Sequence, residues 1–380
     1  MGAIEKFQEI YENRGDYIRG WKEKNPDGKV IGCFCTYVPE EIAYAGGVLT
    51  TRLLGSHEIE DATAPHIFGM FCPFCRDVLA QGLKGRANYL DGICDANCCM
   101  HLLQAFEAWA LNVKPEPKVF RVDMPCQVQN PHAIQFLTGE AECFKKDIEE
   151  WMGKKITNDD LDRAIDVFNE NRRLMKQIYE LRKADNPPIT GLECMYMVVS
   201  GQLMDKKDHN VLLKEALKEL KNRKLDRDPG TRLMIIGSEN DDVEFISMLE
   251  SGMTLPSTVV IDEMCTGTRA FWEEVIPKEN RMEAIAERYI NRTPCPAKDF
   301  PNRIRFQRAL KFAKEWNVEG VLTLQQKFCD PHELDIPSLR KFFEENGLKT
   351  YFLELDVTVP VGQFSTRVEA FIESLMLDII

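Results

Sequence analysis

The chain has 380 residues, which at about 150 residues per domain suggests two domains, and its 44% hydrophobic and 29% charged residues are typical of a folded globular protein. Its 48 basic and 61 acidic residues leave a net charge of −13, which argues against a nucleic-acid partner. We find no apolar run of the roughly 18 residues that a membrane span needs, and the charged N-terminus does not resemble a signal peptide. We therefore expect a soluble, cytoplasmic protein with no membrane partner.

Short apolar runs alternate with amphipathic segments over the first third of the chain. The predicted strands are Lys29–Phe34, Val48–Leu54, Tyr89–Cys94 and Lys118–Val122. The predicted helices are Pro39–Gly46, Cys75–Gly82, Asn97–Asn112 and a helix from near Pro131 past Trp151. This alternation is typical of a parallel sheet covered by helices.

The middle of the chain is helical in pattern, and the last third returns to alternating strands and helices. The predicted strands there are Arg232–Ile236, Thr258–Ile261, Gly320–Leu324 and Thr350–Leu355, and the predicted helices are Asp242–Ser251 and Thr366–Asp378. We therefore predict an α/β protein with two Rossmann-like, doubly wound domains. Their expected bounds are residues 1–146 and 229–380, joined by a helical connector over residues 147–228.

The cysteines are the most informative residues. There are 13 of them, and in a reducing compartment they are expected to be metal ligands, catalytic groups or buried packing residues rather than disulfides. Five follow the carboxyl ends of predicted strands, where open α/β sheets bind ligands. These five are Cys35, Cys94, Cys126, Cys265 and Cys329. If the edges of the two domains face each other, their thiols converge on one cleft.

Convergent thiolates favour zinc, copper(I) or an iron–sulfur cluster. Cys72–Cys75 is a CxxC pair, but the second pair of a zinc ribbon and the compact cysteine run of a ferredoxin are both missing. A cluster site assembled from distant segments remains, and core packing is the competing interpretation for any single cysteine. Neither GxGxxG nor GxxxxGK[ST] occurs, which argues against nucleotide binding by this chain. Thr266–Arg269 is either an anion-binding turn or an ordinary one.

Several blocks in order resemble one family. The segment Gly32–Gly55 (GCFCTYVPEEIAYAGGVLTTRLLG) resembles the family's opening strand, helix and strand, and three short blocks resemble its cluster positions: Gly92–Asp95, Asp123–Cys126 and Lys327–Asp330. Further similar blocks are Arg182–Gly191, Glu263–Arg269 and Arg292–Pro296. The family contains the 2-hydroxyacyl-CoA dehydratases and the ATP-dependent benzoyl-CoA reductases.

The resemblance implies two Rossmann-like domains with a [4Fe–4S] cluster between them, and it assigns the ligands to Cys94, Cys126 and Cys329. Cys35 and Cys72 resemble the additional cysteines of a third relative, the double-cubane protein, and Cys295 is a further such candidate. The resemblance therefore leaves open whether the cluster is a single or a double cubane.

Within the family, the block RKADNPPITG and the following DKKDHN resemble the smaller cluster-bearing subunit of benzoyl-CoA reductase. The resemblance then implies delivery of low-potential electrons to an aromatic acyl-CoA for ring reduction. It also implies a homologous cluster-bearing sister subunit and an ATP-hydrolysing activator, with ATP bound only by partner chains.

Other functions remain open. The chain can instead be the β-subunit of a 2-hydroxyacyl-CoA dehydratase, a double-cubane reductase, an electron-relay or structural subunit, or a two-lobed small-molecule binding protein. For the proton that a ring reduction needs, the candidate donors are His101, His132 and Glu263, and a structural role is the alternative for each.

Overall fold

The computed structural model describes residues 2–58 and 62–377. Within them the chain forms two four-stranded sheets in which every neighbouring pair of strands is parallel. The strands are β1 (Lys29–Cys33), β2 (Val48–Arg52), β3 (Gly92–Asp95), β4 (Lys118–Arg121), β5 (Thr231–Gly237), β6 (Ser257–Glu263), β7 (Gly320–Gln326) and β8 (Lys349–Leu355). All eight overlap the predicted strands, so the α/β class with two parallel sheets is confirmed.

The two sheets have the same topology. The first sheet has the order β2-β1-β3-β4 and the second has the order β6-β5-β7-β8. In each, the order reverses beside the sheet's first strand in sequence, which is where open α/β sheets form ligand crevices. Both faces are buried in β1, β2, β3, β5, β6 and β7, as is usual for parallel sheets covered by helices, whereas the edge strand β4 is largely exposed.

Helices cover both sheets. Those before residue 153 are α1 (Ala3–Glu12), α2 (Arg14–Lys24), α3 (Glu40–Ala45), α4 (Pro73–Leu83), α5 (Met100–Asn112) and α6 (Ala133–Met152). Those of the middle are α7 (Asn158–Glu180), α8 (Gly191–Leu203) and α9 (Lys206–Leu220). Those of the last part are α10 (Val243–Ser251), α11 (Thr268–Phe271), α12 (Arg281–Asn291), α13 (Ile304–Glu315), α14 (Asp330–Glu345) and α15 (Val361–Leu377).

The helices differ from the prediction in their number and at some of their ends. No helix is predicted from sequence at α1, α2, α12 or α13, and α5 begins at Met100 rather than at Asn97. α15 begins five residues before the predicted Thr366, and the predicted end at Asp378 lies outside the described residues. α14 contains Pro337, a residue that normally disfavours a helix interior, and no helix is predicted there from sequence. The middle segment 158–220 is helical, while its role as a connector and the exact domain bounds stay predictions.

Two hydrophobic cores lie under the sheets, and each is completed by a helix from the other half of the chain. α1 places Phe7, which is fully buried, in the core of the second sheet. α12 places Ile285 and Tyr289 in the core of the first sheet, where α12 packs against α6. The two halves are therefore interlocked. No helix within the described residues is long and apolar enough to cross a membrane.

Candidate metal centre between the two sheets

A cavity of about 90 Å³ lies where the carboxyl ends of the two sheets face each other. Loops that follow β1, β2 and β3 form one side, and loops that follow β5, β6 and β7 form the other. Eight of the 13 cysteines line it: Cys35, Cys72, Cys75, Cys98, Cys99, Cys265, Cys295 and Cys329. All are free thiols. The cavity is thus a thiol-rich, largely enclosed space.

Three of these thiols form a first trio. Cys98, from the loop after β3, lies within hydrogen-bonding reach of both Cys35, which follows β1, and Cys295, which follows α12. Hydrogen bonding from Cys98 lowers the pKa of Cys35 to about 7 and holds the pKa of Cys295 well below its usual range. The His332 side chain also bonds to Cys295. Cys35 and Cys295 therefore favour the thiolate, the form that binds metals, whereas the hydrogen bonds to Cys295 and Cys35, together with burial, raise the pKa of Cys98.

A second trio stands on α4 and α14. Cys72 lies within hydrogen-bonding reach of Cys75, one turn along α4, and of Cys329 across the cavity. The Cys72 backbone N–H donates to Nδ1 of His101, 3.1 Å away, and this ring lies against Phe71. Each trio draws two thiols from the first half of the chain and one from the second, so both depend on the two halves meeting.

Helix ends add a favourable field for anions. Cys72, Cys99 and Cys329 are the N-cap residues of α4, α5 and α14, helices of 11, 13 and 16 residues. The N-terminal end of a helix carries partial positive charge and favours a nearby negative group. Three such ends at one cavity oppose the cost of burying thiolates.

Three buried arginines also line the cavity, and they differ in their partners. Arg269 pairs with Glu263 at 3.0 Å between Nε and Oε1. Arg292 donates to the carbonyl and hydroxyl oxygens of Thr36 and leaves its buried Nε without a hydrogen-bond partner. Arg52, at the end of β2, has buried Nε and Nη1 atoms with no hydrogen-bond partner among the described residues.

An unneutralised buried guanidinium is costly unless an anion accompanies it. The donor set of the cavity, with its soft thiols, cationic arginines and helix N-termini, fits an anionic, thiolate-bound metal centre. No group of three or more His, Cys, Asp or Glu side chains in residues 2–58 and 62–377 is arranged to hold one metal ion. Ligands of a cluster bind different irons, so they need not converge on one point.

The structure brings together three of the five cysteines proposed as ligands. Cys35, Cys72 and Cys329 line the cavity. Cys94 does not, because it lies inside β3 with no exposed surface, and burial raises the pKa of its thiol well above the usual range. Cys126 is exposed in the loop after β4 and is also outside the cavity.

The three candidate proton donors are also separated. His101 lines the cavity, with its Nε2 atom 3.8 Å from Oδ2 of Asp330. Glu263 is fully buried at the end of β6 and pairs with Arg269 and Arg305, and burial raises its pKa. His132 is exposed at the start of α6, away from the cavity.

Sequence reasoning missed several residues that line the cavity, above all Cys98, Arg52 and Glu239. The doublet of Cys98 and Cys99, a few residues beyond β3, was the available signal for Cys98. Glu239 follows β5 in the segment Gly237–Asp242 (GSENDD), an acidic run at a strand end. Arg52 sits inside the block TTRLLG and is distinguished only by its burial.

Comparison with known protein families shows which family this chain belongs to. The sequence model of the family "2-hydroxyglutaryl-CoA dehydratase, D-component" matches residues 35–375. The chain belongs to this family. The resemblance stated from sequence is thereby confirmed, and the match covers every strand except β1 and every cysteine of the cavity.

Relatives of known role span the whole length of the chain. The (R)-phenyllactyl-CoA dehydratase beta subunit of Clostridium sporogenes is 28% identical over 376 residues, 97% of each chain. A benzoyl-CoA reductase subunit of Thauera aromatica is 26% identical and covers 90% of each chain. The beta subunit of (R)-2-hydroxyglutaryl-CoA dehydratase of Acidaminococcus fermentans is 24% identical over 98% of each. Both activities thus occur among relatives of similar distance.

Proposed function

We propose that this chain is an iron–sulfur subunit that stores low-potential electrons in the cavity between its sheets and passes them on for acyl-CoA chemistry. The observation that carries the proposal is the arrangement of six buried thiols in two trios around one cavity. When bound there, an iron–sulfur cluster supplies one-electron transfer at a potential set by its charge, hydrogen bonds and exposure.

The two trios favour a double cubane over a single one. A trio gives each of two cubanes three thiolates, whereas Cys94 and Cys126, two of the three ligands that the family resemblance assigned to a single cubane, lie outside the cavity. The proposed ligands are therefore Cys35, Cys98 and Cys295 for one cubane and Cys72, Cys75 and Cys329 for the other.

The protein's own residues set the conditions for electron transfer. Arg52, Arg269 and Arg292 offset the charge of thiolates in a buried space, and without them added electrons would be strongly opposed. The helix N-termini at Cys72, Cys99 and Cys329 act in the same direction.

The cavity is too small for an acyl-CoA. Its volume of about 90 Å³ is well below the 300–1,000 Å³ that is usual for pockets of organic ligands. This supports an inorganic occupant and favours a site elsewhere for the acyl thioester, at the cavity mouth or on a sister chain. It agrees with a role as one chain of an ATP-dependent benzoyl-CoA reductase, whose activator and sister subunit are separate chains.

A dehydratase β-subunit is the second candidate, favoured by the (R)-phenyllactyl-CoA dehydratase beta subunit at 28% identity. That role needs an iron with an open position for the thioester or the leaving hydroxyl group. Three thiolates on a single cubane leave one of its four irons without a protein ligand, whereas a sulfide that bridges two cubanes would fill that position on both, so the numbers of irons and sulfides bear on this choice.

The decisive experiment measures iron and acid-labile sulfide per chain in protein prepared without oxygen. About eight irons per chain would support a centre held by both trios. About four would indicate a single cubane instead, and no iron in folded protein would overturn the proposal. The loaded chain is then combined with a sister subunit and an ATP-hydrolysing activator. Loss of benzoyl-CoA supports the reductase, and dehydration of an (R)-2-hydroxyacyl-CoA without benzoyl-CoA loss supports the dehydratase.

A further inference from the structure

A line of three titratable side chains connects the cavity to the surface. Glu239, in the loop after β5, lines the cavity. Its carboxyl group hydrogen-bonds to that of Asp241, and Asp241 Oδ1 lies 2.7 Å from Nε2 of His57, in the loop after β2. Glu239 and Asp241 are buried, while the His57 ring is 24% exposed. Only His57 therefore meets solvent.

The surroundings shift the pKa of each member of this line. Burial and the neighbouring Asp241 charge raise the pKa of Glu239 well above its usual range, which favours its protonated form. Burial opposes the charge of Asp241, but Arg14, 3.0 Å away, and His57 hold its pKa at about 2. Burial also opposes the His57 charge, yet the bond to Asp241 raises the His57 pKa to about 10.

The inner end of the line is open. Glu239 is only 7% exposed, and its buried Oε1 atom has no hydrogen-bond partner among the described residues. A buried carboxyl oxygen without a partner is costly, and it marks a place where a second molecule or group is expected. The charged and titratable groups acting on Glu239 are Asp241, His57, Arg52 and Arg14.

Backbone contacts fix both loops. Gly237 ends β5 with φ of +148°, and a Cβ there would lie 1.9 Å from the Leu324 carbonyl oxygen, so only glycine allows the turn that brings Glu239 to the cavity. His57 holds a left-handed backbone with φ of +58°, and its N–H donates to Asp77 Oδ2 at 2.8 Å. A strained residue held by a buried carboxylate is typical of functional positions.

We propose that Glu239 is the proton donor of the cavity and that His57 and Asp241 resupply it from solvent. The inference rests on the proposed redox function. A low-potential iron–sulfur donor protein supplies the electron, through the centre of the proposed function, to an acyl thioester at the cavity mouth. The Glu239 O–H bond then breaks and its proton bonds to that molecule. Asp241 passes a proton from His57 Nε2 to the Glu239 carboxylate, and His57 takes one from water.

One cycle therefore adds one electron and one proton, and two cycles add two of each. Movement of a proton with each electron avoids a build-up of negative charge in a buried space. The path also gives Glu239 a role that His101 and Glu263 do not share, because neither is joined to His57 and Asp241 by a hydrogen bond within residues 2–58 and 62–377.

Infrared difference spectroscopy of the whole protein, as apoprotein and after loading with iron and sulfide, tests the path. The wild-type protein is expected to show the C=O band of a protonated carboxyl group that E239Q lacks and E239D retains at a shifted position. On transfer to D2O, H57Q is expected to slow exchange of this carboxyl proton at least ten-fold. The matched control H66Q, which changes an exposed histidine outside the path, is expected to leave exchange unchanged.

Reduction of the loaded wild-type protein by titanium(III) citrate is expected to shift the same band, and E239Q is expected to show no such change. A missing band, or exchange in H57Q as fast as in the wild type, overturns the proton path. Iron content measured on the same samples separates the two proposals. Without iron the redox function fails while the band and its exchange still report on the path, whereas iron without the band refutes the path alone.

Discussion

The two sheets have the same strand order but present different chemistry at the edges that face each other. The first sheet supplies Cys35, Cys98 and an Arg52 that has no counter-ion within the described part of the chain. The second supplies Glu239 and Arg269, both held in hydrogen-bonded or ionic networks. The shared fold fixes where a ligand binds, whereas the residues just beyond each strand decide what is bound.

The largest expected effect comes from the thiols at these edges. Cys98→Ser removes the central thiol of the first trio and is expected to lower bound iron by about half or more. Cys265→Ser removes a cavity thiol that belongs to neither trio, and it is expected to leave iron content unchanged. Iron and sulfide are measured on both variants after anaerobic loading. Equal iron in the two variants would contradict the division into trios.

The next largest effect is expected on the stability of the two cores, each of which includes a helix from the other half of the chain. Phe7→Ala removes a fully buried ring from the second core and is expected to lower the free energy of unfolding by about 3–5 kcal/mol. Phe136→Ala is the control, since that ring on α6 is 49% exposed and its loss should cost less than about 0.5 kcal/mol. Urea unfolding of the apoprotein measures both. Equal stability of the two variants would mean that α1 is not part of the second core.

Arg269 and Arg52 lie at the facing edges of the two sheets, and they differ in whether a carboxylate of the described residues pairs with them. Arg269→Gln leaves Glu263 with one of its two arginine partners, Arg305, and we expect a loss of about 3 kcal/mol of unfolding free energy in the apoprotein. Arg52→Gln removes a buried charge that has no salt-bridge partner among the residues described, so it should be neutral or stabilising. In the loaded protein Arg52→Gln should lower the midpoint potential, because a positive charge near the added electron is lost.

A clear loss of apoprotein stability in Arg52→Gln would contradict this. It would show that Arg52 has a structural partner in the empty cavity. An unchanged potential in the loaded protein would argue that Arg52 does not face the cluster.

The smallest expected effect is the pH dependence due to His57. Its pKa is raised to about 10 in the folded protein from 6.5, so its stabilising contribution is complete below about pH 6.5 and is lost as the pH rises through 10. Between pH 7 and 10 the wild-type apoprotein should lose on the order of 2 kcal/mol more than His57→Gln, since solvent weakens the full shift at a partly exposed ring.

Urea unfolding at several pH values measures this difference. Ionisation of cysteines contributes equally to both proteins and cancels in the comparison. Parallel pH profiles would mean that the imidazolium charge of His57 is not stabilised by Asp241.

Most strands were predictable because they are short, largely apolar runs, a pattern that depends on local sequence alone. α14 was not predicted: Pro337 in its interior argues against a helix, whereas packing of the buried Ile336, Leu339 and Phe343 stabilises it. For the site, the rule that ligands lie beyond strand ends pointed to Cys35, Cys265 and Cys329, and all three line the cavity. The rule could not predict that Cys98 lines the cavity and that Cys94, four residues earlier and inside β3, does not. This difference depends on which side chains reach the cavity in the folded protein.

The exchange of α1 and α12 between the cores also sets an order of events during synthesis. The first sheet, which ends at Arg121, leaves the ribosome long before α12, which ends at Asn291, so the first core stays incomplete while about 170 further residues are made. At 5–20 residues per second this delay lasts roughly 10–35 s. During it, Cys35, Cys72, Cys75 and Cys98 are open to oxidants and to stray metal ions. The first trio lacks Cys295 and the second lacks Cys329 until these residues are synthesised. Any centre built on the trios can therefore be completed only late in translation or after release of the chain.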